Sequence, residues 1–303
     1  MPPATAGHLA MLLFSALVAG SFALGELAAN EIAPAALNAV RFWIAAMVVG
    51  FVALSTTGLP RTVAHSLWRY PVLAFFFIVY FVLMFEGLKT APAVSAAAVF
   101  TLTPILSALF GWLLLRQRFT GRIALALAIG GAGALWVIFR ANLGALMSFD
   151  IGRGEVIYFV GCVSHAIYTP LVATLNRGEP AVAFTFGTLI AGALMLTAWA
   201  WGDLMATDWA NLPAIVWITI LYTAVFASAA TFTLLQFAAL QLPSSKVMAY
   251  TYLTPTWVIV WTIAMGQQAP PLILLVGVAM TVLALLLLLK NEDRDYVRGA
   301  SSS

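Results

Sequence analysis

The chain has 303 residues, of which 63% are hydrophobic and 8% are charged, and its formal net charge is +3. An average soluble domain carries about 25% charged residues, so this chain has too few charges to cover a water-facing surface. Its basic residues are scattered at the ends of apolar segments, which argues against a nucleic-acid partner. The single cysteine, Cys162, excludes an internal disulfide and is too little for a zinc or iron–sulfur site.

Ten apolar stretches follow one another along the chain. A bilayer core about 30 Å thick needs about 20 residues in helical form, and backbone groups in lipid must be satisfied internally, which favours helices. We therefore expect an all-α membrane protein with ten transmembrane helices, called spans 1 to 10. They are predicted at residues 9–29, 34–54, 70–88, 94–115, 123–139, 154–175, 181–201, 213–237, 244–265 and 272–289.

The basic residues predict the orientation of these spans. With the N-terminus in the cytoplasm, ten Lys and Arg residues fall on the cytoplasmic side and four on the other, as the positive-inside rule requires. We therefore expect a multi-pass protein of a cell inner membrane with both termini in the cytoplasm. Residues 291–303 are polar, and we expect them to form a disordered cytoplasmic tail.

An internal repeat is visible in two tight loops and the spans that follow them. Residues 87–104 and 239–255 each join two spans and each reach a Leu-Thr-Pro sequence in the middle of the next span. The copies are five spans apart, and because five is odd, the second copy enters the membrane from the opposite side. The repeat predicts two inverted five-helix units, residues 1–140 and 141–290, around a central cavity, as in many transporters.

Pro104 and Pro255 end the two copies of this motif. Each proline removes a backbone donor in the middle of a helix. The carbonyls near residues 100 and 251 then lose their helical partners, which is costly in lipid unless they face protein or a wet cavity. A packing kink would explain one such proline, whereas two at matching repeat positions favour hinges beside a cavity.

On these motifs the chain resembles the drug/metabolite transporter superfamily, specifically its ten-helix EamA-type exporters, and among them the YddG-type amino-acid exporters. The resemblance covers about residues 9–289. It implies a basket of two inverted bundles, a central substrate cavity and export of small metabolites or drugs. The chain departs from the family pattern in lacking an acidic residue after spans 4 and 9 and a tryptophan in spans 1 and 6.

Polar and aromatic residues in the middle of the spans are the candidates for substrate binding. His165 lies near the middle of span 6, where an ionisable side chain is costly and often functional. Aromatic walls with a few hydroxyl groups suit an amphipathic zwitterion such as an amino acid, although each residue could instead serve packing between helices. The predicted substrate-binding residues are Tyr80, Phe100, Thr101, His165, Tyr168, Ser228, Tyr250 and Tyr252.

Four further charges lie toward the outer ends of the spans. We expect Glu86 and Lys89, three residues apart, to pair at the outer rim. Glu26 and Arg41 are expected to lie at the outer interface, by snorkelling or by ion pairing. Alternatively, the acidic residues form a mouth that guides a cationic substrate.

The predicted function is export of amino acids or similar small metabolites by alternating access, with a small-molecule substrate and the lipid bilayer as partners. The sequence has no motif for ATP or metal binding, so we expect no cofactor and no ATPase subunit. An intramembrane enzyme would need paired ionisable residues, and a channel is disfavoured because this chain carries its own pseudo-symmetry. The remaining alternatives are a multidrug exporter of cationic compounds, disfavoured by the scarcity of buried acids, and a nucleotide-sugar carrier, disfavoured by the scarcity of buried bases.

Overall fold

The computed structural model describes residues 3–59, 66–117, 120–148 and 151–289. Within these ranges every regular element is helical. Nine of the described helices are long and apolar enough to cross a membrane, and the shorter apolar helix Leu274–Leu289 follows them. The prediction of an all-α membrane protein with ten spans is therefore confirmed, while the predicted tail at 291–303 lies outside the described residues.

The helical segments match the predicted spans to within two residues, except that α1 begins at Pro3, six residues before the predicted start of span 1; spans 4, 8 and 9 are each divided into shorter segments. Two short helices, α7 and α10, lie between spans. The segments are α1 (Pro3–Ala28), α2 (Pro34–Thr56), α3 (Arg69–Leu88), α4 (Ala93–Phe100), α5 (Thr103–Leu115), α6 (Gly121–Ile138), α7 (Leu143–Ser148), α8 (Arg153–Leu175), α9 (Ala181–Trp199), α10 (Trp201–Ala206), α11 (Ala214–Ala224), a π-helix (Val225–Ala230), α12 (Thr231–Ala239), α13 (Ser244–Ala249), a 3₁₀-helix (Tyr250–Leu253), α14 (Thr254–Ala264) and α15 (Leu274–Leu289).

Spans 4 and 9 are interrupted where the two prolines predict it. Pro104 is the second residue of α5 and Pro255 is the second residue of α14. The carbonyl oxygen of Phe100 accepts a hydrogen bond from Thr103 Oγ1 at 2.6 Å, and that of Thr251 accepts one from the Thr254 N–H. Each carbonyl that the prolines deprive of a helical partner is thus satisfied by its own chain. The hinge motion itself stays a prediction.

The packing of the helices follows the inverted repeat, in which span n corresponds to span n + 5. Helix α3 packs against α8, so span 3 contacts span 6. The repeat relates this pair to spans 8 and 1, and α11 and α12 of span 8 pack against α1 of span 1. Spans 2 and 7, spans 4 and 9, and spans 5 and 10 each pack against their own counterparts. Such self-pairing is the pattern that a two-fold axis in the membrane plane produces.

Spans 5 and 10 are in close backbone contact at two glycines. A Cβ atom added to Gly133 would lie 2.6 Å from the carbonyl oxygen of Gly277, and one added to Gly277 would lie 2.6 Å from that of Gly133. Trp136 Nε1 donates a hydrogen bond to the Ile273 carbonyl at 2.9 Å beside this contact. Small residues allow such backbone contact between membrane helices, and this reciprocal contact joins corresponding spans of the two repeats.

An ion pair that sequence reasoning missed ties span 3 to the loop after span 6. Arg69 Nη2 lies 2.6 Å from Glu179 Oε1, and both side chains are fully buried. Arg69 Nη1 also donates to the Leu175 carbonyl at 2.7 Å. The two partners are 110 residues apart, so the sequence alone offered no local signal for the pair.

Candidate functional site

Aromatic rings from spans 3, 4 and 6 pack together in the middle of the bundle. The ring centroid of His165 lies 4.4 Å from that of Tyr80, 5.5 Å from that of Phe100 and 6.3 Å from that of Tyr168. The structure thus brings four of the eight predicted binding residues together. We call the following set the aromatic cluster: Phe77, Tyr80, Phe81, Phe100, Tyr158, His165 and Tyr168.

The polar atoms of the aromatic cluster are few and mostly engaged. The Tyr158 hydroxyl donates to the Tyr80 hydroxyl at 3.2 Å, and Gln236 Nε2 donates to the Tyr168 hydroxyl at 2.8 Å. His165 Nδ1 is buried without a hydrogen-bond partner among the described residues. Since a buried polar atom normally has a partner, this nitrogen is available to a ligand.

The two interrupted spans cross beside the aromatic cluster. The hydroxyl oxygens of Thr103 and Thr251 lie 3.2 Å apart. Thr101 lies in the break of span 4, where its hydroxyl donates to the Ala98 carbonyl at 2.6 Å. Tyr252 lies in the break of span 9, with its ring against Gly130 of span 5. The predicted residues Thr101 and Tyr252 therefore belong to the crossing rather than to the aromatic cluster.

The ring of Tyr250 lies apart from the aromatic cluster, although Tyr250 is only two residues from Tyr252 in the same 3₁₀-helix. Its ring packs against His8, with the ring centroids 6.0 Å apart. His8 is in the second turn of α1, and it precedes Phe22, which contacts Phe100 and Tyr158, by 14 residues. At 1.5 Å per residue this separation is about 21 Å along the helix. The Tyr250 ring thus extends from the crossing toward the end of the bundle at which α1 begins.

Arg41 is inside the protein, so the expectation that it snorkels or pairs at the outer interface is wrong. Its side chain is 0% exposed. Nε donates to Ser228 Oγ at 2.7 Å, Nη2 to the Ala227 carbonyl at 2.7 Å, and Nη1 to Asn38 Oδ1 at 3.3 Å. The carbon of the guanidinium lies 3.7 Å from the centroid of the Phe81 ring. Ser228, predicted to bind substrate, thus lies against a buried cation.

The π-helix of span 8 explains how Arg41 is held. At its end the Thr231 N–H donates to the carbonyls of Phe226 and Ser228 and bypasses that of Ala227. The Ala227 carbonyl is therefore available to Arg41. Single-turn π-helices within α-helices occur frequently at functional sites, and the apolar sequence 225–230 gave no signal for this one.

Three acidic residues at the end of the bundle where α1 ends have hydrogen-bonding partners. Glu86 and Lys89 pair at 2.7 Å, as predicted. Glu26 Oε2 accepts a hydrogen bond from the Ala93 N–H at 3.1 Å, and Ser95 Oγ donates to Glu155 Oε1 at 2.7 Å. Glu26 and Glu155 thus bind the first turn of α4, where the helix dipole favours negative charge.

A cavity of about 290 Å³ opens at this same end of the bundle. Its walls come from the ends of spans 1, 4, 5, 9 and 10 and include Glu26, Ser95, Arg140, Thr262 and Gln267. The middle of the bundle, where the sequence predicts the central cavity, is filled by the aromatic cluster, whose His165 is 1% and Tyr168 0% exposed. The structure therefore holds the predicted binding residues in a closed arrangement.

Comparison with known proteins agrees with this architecture. The model of the EamA-like transporter family matches residues 5–139 and again residues 152–290. The "Uncharacterized transporter YyaM" of Bacillus subtilis (strain 168) is 24% identical over 281 residues, which are 92% of each chain. A solved structure described as "Crystal structure of protein" shares the fold, with a TM-score of 0.71 and 20% identity over 95% of this chain and 96% of that chain. The chain belongs to the EamA-like transporter family and is a multi-pass membrane transporter of small compounds.

Proposed function

We propose that this chain exports amino acids or similar small amphipathic metabolites by alternating access, as the YddG-type exporters that it resembles do. The observation that carries the proposal is the crossing of two interrupted spans at matching repeat positions, directly beside the aromatic cluster. We further propose that it acts in a bacterial-type inner membrane, with both termini in the cytoplasm.

The chemistry of the aromatic cluster supports this substrate class. The ring faces of Phe77 and Phe100 offer apolar area for a hydrophobic side chain. The hydroxyls of Tyr80 and Tyr168 and the free Nδ1 of His165 offer sparse hydrogen-bonding positions for a polar head group. Ligand sites commonly combine an apolar wall with a few placed polar groups.

The inverted repeat supports the transport cycle. The 290 Å³ cavity lies between the ends of spans 1, 4, 5, 9 and 10. If the two repeats exchanged their conformations, an equivalent cavity would form between the corresponding spans 6, 9, 10, 4 and 5 at the opposite end of the bundle. In the structure that opposite end is closed by two hydrogen bonds between Gln117, after span 4, and Ser244, at the start of span 9. The Ser244 N–H donates to Gln117 Oε1 at 3.3 Å, and Gln117 Nε2 donates to Ser244 Oγ at 3.4 Å. We propose that units 1–140 and 141–290 exchange these two arrangements, with Pro104 and Pro255 as the hinges.

Counterflow in proteoliposomes tests the proposal. Vesicles loaded with unlabelled L-phenylalanine, L-leucine or L-tryptophan are diluted into the labelled amino acid. We expect saturable, transient accumulation of label that requires the protein. Exchange of cationic dyes without exchange of amino acids would instead favour the multidrug alternative, and flux that does not saturate would favour a channel.

A further inference from the structure

Arg41 is a buried cation without an anionic partner. Its three hydrogen bonds go to a hydroxyl, a backbone carbonyl and a side-chain amide. In the described part of the chain no carboxylate lies within 4.0 Å of its guanidinium. Arg41 is the eighth residue of α2, about 10 Å along that helix from its start. An uncompensated charge at this depth is costly and is a functional-site hypothesis by default.

The guanidinium has donors to spare. It carries five N–H groups in a planar fork, and three of them are used by Ser228, Ala227 and Asn38. The bond to Asn38 is the longest, at 3.3 Å, and is the easiest to give up. Two N–H groups therefore remain for another acceptor, and a carboxylate can take a pair of them in the bidentate geometry that arginine favours.

Arg41 also borders the aromatic cluster, where we propose that the substrate binds. The Phe81 ring that it covers lies 4.6 Å from the ring of Tyr80 and 5.2 Å from that of Phe77, centroid to centroid. On the side of span 8, Phe232 lies parallel to Phe81, with an interplanar angle of 6° and centroids 5.6 Å apart. A ligand whose apolar part entered the aromatic cluster would bring its head group next to Arg41.

We propose that Arg41 binds the carboxylate of the transported molecule, so that the substrates are small carboxylates with an apolar side chain. This inference rests on the proposed carrier function and narrows its substrate class. The substrate carboxylate supplies the counter-charge that the described part of the protein does not supply, and Ser228 and Ala227 hold the guanidinium in place on the π-helix. Amines and amides of the same shape leave the cation unpaired and are rejected.

Counterflow with matched acid and amide pairs tests the inference. L-phenylalanine is compared with L-phenylalaninamide, and L-leucine with L-leucinamide, in proteoliposomes of the wild-type protein. We expect each acid to be exchanged at least about tenfold faster than its amide, because the buried donors of Arg41 are satisfied only by the acid. Arg41→Gln should lower the ratio of acid to amide flux to about one, whereas Arg41→Lys should keep a preference for the acid.

Lys89→Gln is the matched control, since it removes one positive charge from the exposed pair with Glu86 and should keep the wild-type ratio. Melting temperatures without ligand verify that each variant is folded. The comparison of acid with amide is made on the wild-type protein and therefore does not depend on the folding of any variant. Equal exchange of acid and amide by the wild type, or an unchanged ratio in Arg41→Gln, would overturn the inference and leave Arg41 as an anchor of the π-helix. Exchange of neither acid nor amide would instead overturn the proposed function.

Discussion

The hydroxyl oxygens of Thr103 and Thr251 lie 3.2 Å apart, which joins the two interrupted spans at their crossing. Each hydroxyl also lies close to a carbonyl of its own span, Thr103 at 2.6 Å from Phe100 O and Thr251 at 2.8 Å from Met248 O. The contact thus connects the two breaks through polar atoms that have no access to water. We expect the two breaks to move together, because a change at one disturbs the hydrogen bonding of the other.

Replacing Thr103 should separate the role of its hydroxyl from that of its shape. Thr103→Val keeps the volume but leaves the Phe100 carbonyl without the Oγ1 donor. We expect a loss of about 1–3 kcal/mol in stability, the usual cost of an unsatisfied buried group. Thr103→Ser keeps the donor and should lose less. Thermal unfolding in detergent compares the two variants. Equal melting temperatures for Thr103→Val and the wild type would show that the hydrogen bond from Thr103 Oγ1 to the Phe100 carbonyl does not stabilise the protein.

Removing both hinge prolines should slow transport. Pro104→Ala with Pro255→Ala restores two backbone donors and favours continuous helices. A bias of about 1.4 kcal/mol toward one arrangement changes its population tenfold, so we expect counterflow to fall by about that factor. The control is Pro170→Ala, a proline inside α8, because the corresponding helix of span 1, α1, has no proline after Pro3. A double variant that transports as fast as Pro170→Ala would show that the breaks are not hinges.

The contact between Gly133 and Gly277 should tolerate no side chain. In Gly133→Ala or Gly277→Ala the new Cβ would lie 2.6 Å from a backbone oxygen, so the helices must move apart. Overpacking of this kind costs about 1–3 kcal/mol. A Cβ added to Gly202 in α10 meets no atom within 4 Å, and Gly202→Ala is the matched control. Melting temperatures measure the difference; an unchanged value for Gly133→Ala would rule out tight packing of spans 5 and 10.

The ion pair of Arg69 and Glu179 should make stability fall in acid. Burial of the Glu179 carboxyl raises its pKa, but hydrogen bonds from Arg69 and from the Arg177 N–H outweigh burial and hold the pKa below the usual value of 4.5. A depressed carboxyl pKa stabilises the folded state above about pH 4.5, and this contribution is lost as the pH falls through the folded-state value. Acidification should therefore destabilise the wild type more than Glu179→Gln.

At neutral pH, Glu179→Gln should lower the free energy of unfolding by about 2 kcal/mol, the typical contribution of hydrogen bonds to a charged group. Glu86→Gln breaks a pair with a similar distance, 2.7 Å, whose Glu side chain is 40% exposed. Exposed ion pairs contribute at most about 1 kcal/mol to stability, so the stability of this control variant should differ little from that of the wild type. Identical pH profiles for Glu179→Gln and the wild type would mean that the buried pair does not act as described.

The spans and the breaks of spans 4 and 9 could be predicted because their signals are local, whereas the π-helix of span 8 could not. Apolar length identifies the spans, and the repeated Leu-Thr-Pro sequence identifies the breaks at Pro104 and Pro255. The bonds of Arg41 could not be predicted, since Arg41 and Ser228 are 187 residues apart and meet only through a π-helix. One usable signal was present: Asn38 precedes Arg41 by three residues and therefore lies on the same helix face.

The measurement that tests the account most directly is access to His165 from the two sides of the membrane. His165→Cys in a Cys162→Ala background gives the aromatic cluster a single thiol, since the chain has one cysteine. A membrane-impermeant thiol reagent should label it in vesicles of either orientation, with protection by L-phenylalanine. Ala284→Cys in the same background, a position that is 0% exposed in span 10, should stay unlabelled. Labelling of residue 165 from one side only, or from neither, would contradict alternating access around the aromatic cluster.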